Sequence, residues 1–515
     1  MARHQRRAAD GRTTGAWRKL RALVAGCTFD DFLLTPQYSV LERRDPAGID
    51  LSCRFSRHIT LRRPIVSANM DTVTRAPMAM VLAEEGGLGV IDRGFRPGDI
   101  EPQVREVQLV KRTQHLVIAD PWTIGPDDAL SAALAVMERR GVGTLVVVDS
   151  GRHLLGLLTQ RDVRFVDGRA DAARLTVADR MTPRERLIVH VGRLSMAAAE
   201  RLMIERKVKK LPLVDRAGVL VGLITARDLL HQKRLPCASR DDSGRLLVGA
   251  AIGAKGDYLE RAAELIKAGV DVIVIDIAHG HSVVMCKAMR AFRRSFGDFE
   301  VVAGNVATAD GARALADLGA DGIKVGIGPG GGCSTRLTTS FGVPQLQALV
   351  ECRAAVSDGI PIIADGGIRR DGAIVEALLF GGDTVMLGSA FAGTVETPGD
   401  IVQKSVLLPE SQKVVKVPFK VLRGMASIQA IKDRLDVEDD DEVDLEALGA
   451  EGIEVSVPAR GSVRPVLGDM MKHLASAVSY GGAASLAEFK TRFRRDPLRY
   501  VVRLTEASRR ESYER

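Results

Sequence analysis

Three observations predict a (β/α)8 barrel, of the TIM type, that carries an inserted pair of smaller modules. Eight short buried-strand patterns alternate with helical stretches, the order that a parallel α/β sheet requires. Polar and reactive residues stand at the C-terminal end of strand after strand, where α/β barrels keep their chemistry. An internal repeat interrupts the alternation after the second strand.

The chain opens with a basic segment, Met1 to Arg21, that holds six Arg and one Lys against Asp10 alone. Without an apolar face or cleavage pattern, residues 1–25 read as a solvated, disordered tail. A nucleic-acid arm or a targeting segment is the alternative. FDDFLLTP (Phe29 to Pro36) begins the ordered chain, and residues 26–114 supply the first part of the barrel. PIVSANMD (Pro64 to Asp71) reads as its first strand, the pattern from Pro77 to Glu85 as a helix, and GLGVIDR (Gly87 to Arg93) as the second strand.

Residues 115–235 contain the repeat. MERRGVGTLVVVD (Met137 to Asp149) is echoed by MIERKVKKLPLVD (Met203 to Asp215), and GLLTQRDV (Gly156 to Val163) by GLITARDL (Gly222 to Leu229), 66 residues on in each case. Thr159 with Asp162, and Thr225 with Asp228, fall where the second strand of each copy turns into a helix. An Asp there can cap the helix, or it can accept a ribose hydroxyl while the helix N-terminus faces phosphates.

The alternation resumes over residues 236–393. LLVGAAIG (Leu246 to Gly253), VDVIVID (Val270 to Asp276), FEVVAGN (Phe299 to Asn305), GIKVGI (Gly322 to Ile327), PIIADGG (Pro361 to Gly367) and TVMLGSA (Thr384 to Ala390) complete the eight strands. After the sixth comes GIGPGGGCSTR (Gly326 to Arg336), where five glycines in seven residues lead to Cys333, Ser334 and Thr335. Such a loop can approach a ligand or ion with its own carbonyl and N–H groups. Residues 394–515 form a flap and C-terminal segment with RGMAS (Arg423 to Ser427), an acidic run from Glu438 to Asp444, AEGIEVSVP (Ala450 to Pro458) and a last helical region.

With 46% hydrophobic residues and no apolar run of membrane-span length, the chain reads as soluble. Its six cysteines are scattered without C-x-x-C spacing, which disfavours a zinc site or a disulfide framework and points to the cytoplasm. The net charge of +8 suits an anionic substrate.

Several stretches together carry a resemblance. ANMDTVT (Ala68 to Thr74), DIAHGHS (Asp276 to Ser282), AGNVAT (Ala303 to Thr308), the glycine loop, FGVPQLQA (Phe341 to Ala348), ADGGI (Ala364 to Ile368), MLGSAFAGT (Met386 to Thr394) and RGMAS occur in order from Phe29 onward. In these the chain resembles the inosine monophosphate dehydrogenase and guanosine monophosphate reductase family, and the repeat resembles the paired CBS modules of many members.

The resemblance implies that Cys333 attacks C2 of a purine nucleotide. It implies that Asp365 holds the ribose hydroxyls, that Gly367, Gly388 and Ser389 meet the nucleotide and its 5′-phosphate, and that Gly424 and Met425 lie along the base. Asp276 and Asn305 would meet a nicotinamide cofactor, NADPH or NAD. The carbonyls of Gly328, Gly330 and Cys333 would form part of a site for K+ or a similar monovalent cation. ATP or GTP would act as effectors at Thr159, Asp162, Thr225 and Asp228. A homotetramer or octamer is implied, with no membrane and no nucleic acid as partner.

Two reactions are open within the resemblance. Dehydrogenases hydrolyse their covalent intermediate with an Arg-Tyr pair on the flap, whereas here Arg434 is followed by Leu435 and no tyrosine stands between Tyr258 and Tyr480. Thr335 and Glu451, the pair that protonates ammonia in reductases, are present, as is Asn69 of the reductase pattern. NADPH-dependent reductive deamination of GMP, or of a closely related guanine nucleotide, is the leading expectation. IMP dehydrogenase is the alternative, and an inactive nucleotide sensor a third. Gly331 replaces a usual phosphate-binding Ser, Leu422 a usual Tyr, and Asp92 a usual His close to the expected cofactor.

Overall fold

A computed structural model describes residues 15–42, 45, 48–112, 118, 121–140, 142–163, 175–192, 194–408, 413–435 and 451–513. The chain divides into two compact units, one of residues 1–113, 237–241 and 246–515, the other of residues 114–236 and 242–245.

The first unit is a closed barrel of eight strands: Ile65–Ser67, Leu88–Ile91, Val248–Ile252, Val272–Asp276, Val301–Val306, Gly322–Val325, Ile362–Asp365 and Thr384–Leu387. Adjacent strands are parallel, and the ring closes where Val385 pairs with Ile65 and Val248 with Gly89. Strands buried on both faces read as unbroken apolar runs, as VIVID does over Val272–Asp276. Their side chains alternate, so that Val272 and Val274 fill the barrel while Ile273 and Ile275 join the layer beneath the helices. Phe55, Ile59 and Leu61, from the segment before the first strand, pack into the inner cluster. All eight strands expected from the sequence are present, with the repeat between the second and the third.

Residues 15–25 depart from the expected tail. Gly15–Leu23 is a helix whose Trp17 and Leu20 are buried while Arg18, Lys19 and Arg21 stay exposed. Trp17, Leu20 and Val24 recur at helical spacing and join the main core, giving the short apolar stripe that the arginines obscure. Residues 1–14, and the acidic run from Glu438 to Asp444, lie outside the described residues.

Beyond the eighth strand, Val402–Leu408, Lys413–Arg423 and Glu454–Pro458 form a three-stranded antiparallel sheet. It fixes where the flap segments return to the barrel. The chain end comes back to its beginning, where Val501–Arg503 pairs with Phe32–Leu34 and the Tyr513 hydroxyl donates to Phe32 O at 2.8 Å. Among the described residues no helix is long and apolar enough to cross a membrane.

The second unit has a four-stranded and a three-stranded sheet. Its hairpins carry the repeat into geometry. Thr144 pairs with Thr159 and Lys210 with Thr225, and the register shift at Val147/Val148 recurs at Leu213/Val214. Val146, Val148, Leu154 and Leu157 of one copy share a core with Val214, Leu220 and Leu223 of the other.

Close helix-on-strand packing depends on glycine at one point in the second barrel strand. A Cβ on Gly89 would lie 2.3 Å from Ala79 Cα, inside the helix Ala76–Glu84. Gly89→Val is expected to lower stability by about 1–3 kcal/mol through overpacking, read as a lower denaturation midpoint.

Candidate active site

The glycine loop leaves the sixth strand pressed against the end of the seventh. A Cβ on Gly326, whose φ is 149°, would stand 2.1 Å from Asp365 O. Arg336 braces the loop, its Nε donating to Ile327 O at 3.1 Å and its Nη2 to Val343 O. Burial pulls the Arg336 guanidinium below its ordinary pKa, and the neighbouring Cys333 sulfur counters that effect.

Two distant segments are stitched to this loop by main-chain bonds. Ser334 N donates to Glu451 O at 2.9 Å, Ile453 N to Gly332 O at 3.0 Å, and Gly424 N to Ile453 O at 3.0 Å. The approach is close enough that a Cβ on Gly424 would sit 2.1 Å from Gly332 O. These contacts place a carboxylate beside the cysteine. The Cys333 thiol donates to Thr335 Oγ1 at 3.1 Å, and the Thr335 hydroxyl donates to Glu451 Oε2 at 2.7 Å. A thiol, a hydroxyl and a carboxylate thus form one path along which a proton can move in either direction.

Across the barrel mouth, Lys324 holds two carboxylates. Its buried ammonium lies 2.7 Å from Asp276 Oδ2 and also contacts Asp365 Oδ2. Asn69 Nδ2 donates to the same oxygen of Asp276, and Asn305 Nδ2 to the same oxygen of Asp365, each at 2.9 Å. Oδ1 of each aspartate is left without a protein donor among the described residues, available to a ligand hydroxyl. Burial raises the Asp276 carboxyl, but Lys324, Arg93 and the two hydrogen bonds more than offset it and hold the pKa below its ordinary value. Burial likewise lowers the Lys324 ammonium, and the two aspartates reverse that and hold it above its ordinary value. Asp276 therefore stabilises the site above the unfolded carboxylate pKa and loses that contribution as pH falls through the lowered folded value. Lys324 contributes below the unfolded lysine pKa and is lost only as pH rises through its raised value.

All barrel residues expected at the site line one pocket of 280 Å³: Cys333, Thr335 and Glu451, the glycines 328, 330, 367, 388 and 424, and Asp276, Asn305, Asp365, Ser389 and Met425. The Asn305 side-chain Nδ2 donates to Asp365 and to the Gly326 carbonyl, and its Oδ1 has no protein partner among the described residues. Asp92 is fully buried, accepting from Arg75 Nε at 2.7 Å and Gly94 N at 2.7 Å, so it turns away from the pocket that its neighbour Arg93 lines. Gly331 and Leu422 both line the pocket, with a hydrogen and an aliphatic chain in place of hydroxyls.

In the second unit, Thr159 and Asp162 line a cleft of 700 Å³ with Arg161, Arg186, Lys207 and Lys209. Asp162 Oδ2 accepts from both Thr159 N and Thr159 Oγ1 at 2.7 Å, the capping role. Thr225 is buried at the end of its strand, and Asp228 follows in the helix Ala226–Arg234, its side chain outside the described residues.

Two charged residues at the site were missed in the sequence, Lys324 beneath the pocket and Arg93 on it, and Arg434, noted there only for the tyrosine that does not follow it, lines the same pocket. A signal existed for the first, since a lysine inside the buried run GIKV needs partners.

Comparison with known proteins matches residues 26–514 to the IMP dehydrogenase / GMP reductase domain. The chain belongs to the IMP dehydrogenase / GMP reductase family. It is 41% identical over 494 residues to inosine-5′-monophosphate dehydrogenase of Aquifex aeolicus, covering 96% of each chain. It is 40% identical over 504 residues to GMP reductase of Leishmania major, covering 96% of this chain and 97% of that one. Among solved structures, GMP reductase from Trypanosoma brucei in complex with guanosine 5′-monophosphate matches with a TM-score of 0.79 and 37% identity over 95% of this chain and 97% of that one. The family is one of oxidoreductases that use nicotinamide dinucleotides, and both of its reactions are represented among these relatives.

The stitched loop makes a specific demand on this family member. Gly424→Ala is expected to displace the Cys333 loop and lower turnover by about 10²-fold, the scale of a misplaced reacting group, with thermal stability little changed. Steady-state kinetics beside a melting curve check this.

Proposed function

We propose that the protein is a GMP reductase-type enzyme, converting GMP or a close guanine analogue to IMP and ammonia with NADPH. The observation that carries this reading is the Cys333–Thr335–Glu451 hydrogen-bonded path, in a chain that has no tyrosine between Tyr258 and Tyr480 to complete a water-activating pair. The GMP-bound relative of similar structure supports guanine nucleotide as substrate.

In the proposed reaction Cys333 Sγ bonds to purine C2, and the thiol proton passes through Thr335 Oγ1 to Glu451. The same path returns a proton to the departing amine, so the C2–N bond breaks, ammonia leaves, and a thioimidate remains on Sγ. Reduced nicotinamide, when bound, supplies a hydride to C2. The C–S bond then breaks with its electron pair on sulfur, IMP departs, and the thiolate regains a proton. Asp365 Oδ1 would accept ribose hydroxyls, Gly367, Gly388 and Ser389 would hold the phosphate end, and Gly424 and Met425 would flank the base.

The residues present fit the cofactor and the cation. Asp276 Oδ1 is an open acceptor for the nicotinamide ribose, and main-chain carbonyls suit a large monovalent ion. The Gly330 carbonyl accepts Cys333 N–H at 3.1 Å and keeps a second lone pair, so Gly328, Gly330 and Cys333 can contribute to a K+ site. The second unit we read as a CBS pair whose basic cleft at Asp162 takes ATP or GTP; a GTP complex exists for the Trypanosoma brucei GMP reductase. Assembly as a tetramer or octamer belongs to the same reading.

Absorbance of reduced nicotinamide tests the function, with GMP plus NADPH set against IMP plus NAD in the presence of potassium. NADPH loss with ammonia release is expected. Glu451→Gln should cut that rate by about 10²–10⁴-fold, the usual contribution of a positioned proton-transfer group. NADH formation from IMP would instead establish the dehydrogenase.

A further inference from the structure

The pocket carries two positive charges that the proposed chemistry does not use. Arg93 follows the second barrel strand, and its guanidinium reaches across to the end of the third, where a Cβ on Gly253 would lie 4.0 Å from Nη1. Its Nε is buried without a hydrogen-bond partner. Arg434 lies on the helix Ile428–Leu435, where its Nη2 donates to Met425 O at 3.0 Å and its Nε to Ala430 O at 3.1 Å. Both line the same pocket as Asp276.

The surrounding charges are already matched. Asp276 is taken by Lys324, Asp92 by Arg75, and Asp71 and Asp433 by Arg423. Among the described residues neither Arg93 nor Arg434 makes an ion pair at contact distance: Asp276 and Arg93 act on one another, and Asp71 on Arg434, only from farther off, while burial first and then Arg93 disfavour the charged form of Arg434. Two half-buried guanidiniums that repel one another over a cavity are stable together when an anion lies between them.

Their place in the ring identifies the anion. The groups expected to hold the substrate phosphate follow strands seven and eight, whereas Arg93 reaches the ends of strands three and four, beside Asp276. We propose that Arg93 and Arg434 form an anion subsite that receives the phosphates of the nicotinamide dinucleotide. This rests on the reading that Asp276 holds the nicotinamide ribose, and it adds the residues that would hold what lies beyond that ribose.

Direct binding to the full-length protein tests the proposal. NADPH is titrated by the fluorescence of its reduced ring, GMP by calorimetry, and reduced nicotinamide riboside serves as a probe without phosphate. Arg93→Gln and Arg434→Gln should each weaken NADPH binding about tenfold or more, the double variant more than either, and high salt should narrow the gap. GMP and the riboside should bind within twofold of the unaltered protein, and melting temperatures should hold. Unchanged NADPH affinity in the double variant would overturn the subsite. So would an equal loss for the riboside, which marks a structural role, or a loss confined to GMP, which assigns the anion to the substrate. If the unaltered protein binds NAD or NADH in place of NADPH, the cofactor of the reductase reading fails, and the same comparison made with that dinucleotide decides the subsite.

Discussion

One buried ammonium organises the mouth of this barrel. Lys324 projects from the sixth strand between Asp276, at the end of the fourth, and Asp365, at the end of the seventh. A lysine in that position is costly unless its charge is met, and two carboxylates are costly beside one another unless a cation separates them. Each requirement answers the other. Asn69 and Asn305 complete the arrangement by bonding the same carboxylate oxygens that Lys324 holds, which turns the remaining oxygen of each aspartate toward the pocket. The same ion cluster thus fixes two acceptors, one for each of the two riboses that the proposed reaction brings together.

The reactive half of the site depends on the chain folding back over that mouth. The antiparallel ladder between Lys413–Arg423 and Glu454–Pro458 returns residues 451–453 to the glycine loop, where the absence of side chains at Gly332, Gly424 and Gly452 allows main-chain contact. Glu451 then reaches Thr335 although 116 residues separate them. Placement of the proton path is therefore a property of three segments and not of the cysteine loop alone. Arg434 and Arg93 flank the same pocket from different segments, so the cationic side of the site is also assembled from pieces distant in the chain.

Much of this was legible in the sequence because parallel barrel strands are buried on both faces and read as apolar runs, and because reactive residues recur just past them. Cys333, Thr335, Asp276 and Asp365 could be placed by that logic alone, and family resemblance added Glu451. The ladder at 402–423 was missed, since its strands are half exposed and KVVKVPFKVLR carries both lysines and Pro418, which argues against a strand. The helix Gly15–Leu23 was hidden by its arginines. Lys324 could be seen as a charge in a buried strand, but no pattern names partners that lie 41 residues ahead and 48 behind in the chain. Arg93 carried no signal of its own at the end of the second strand, and only the fold shows that Asp92 turns inward while Arg93 lines the pocket.

The most direct test of the account is to remove the ammonium and titrate both ligands. Lys324→Met, compared with Lys324→Arg and with the unaltered protein at matched thermal stability, should weaken GMP and NADPH binding together by about tenfold or more, because both aspartates lose the charge that pairs with them and orients them. Lys324→Arg, which keeps the charge, should recover much of both. If the methionine variant binds one ligand less tightly and the other unchanged, or binds both as before, the two aspartates are not organised by a common ammonium and the account of the site is wrong.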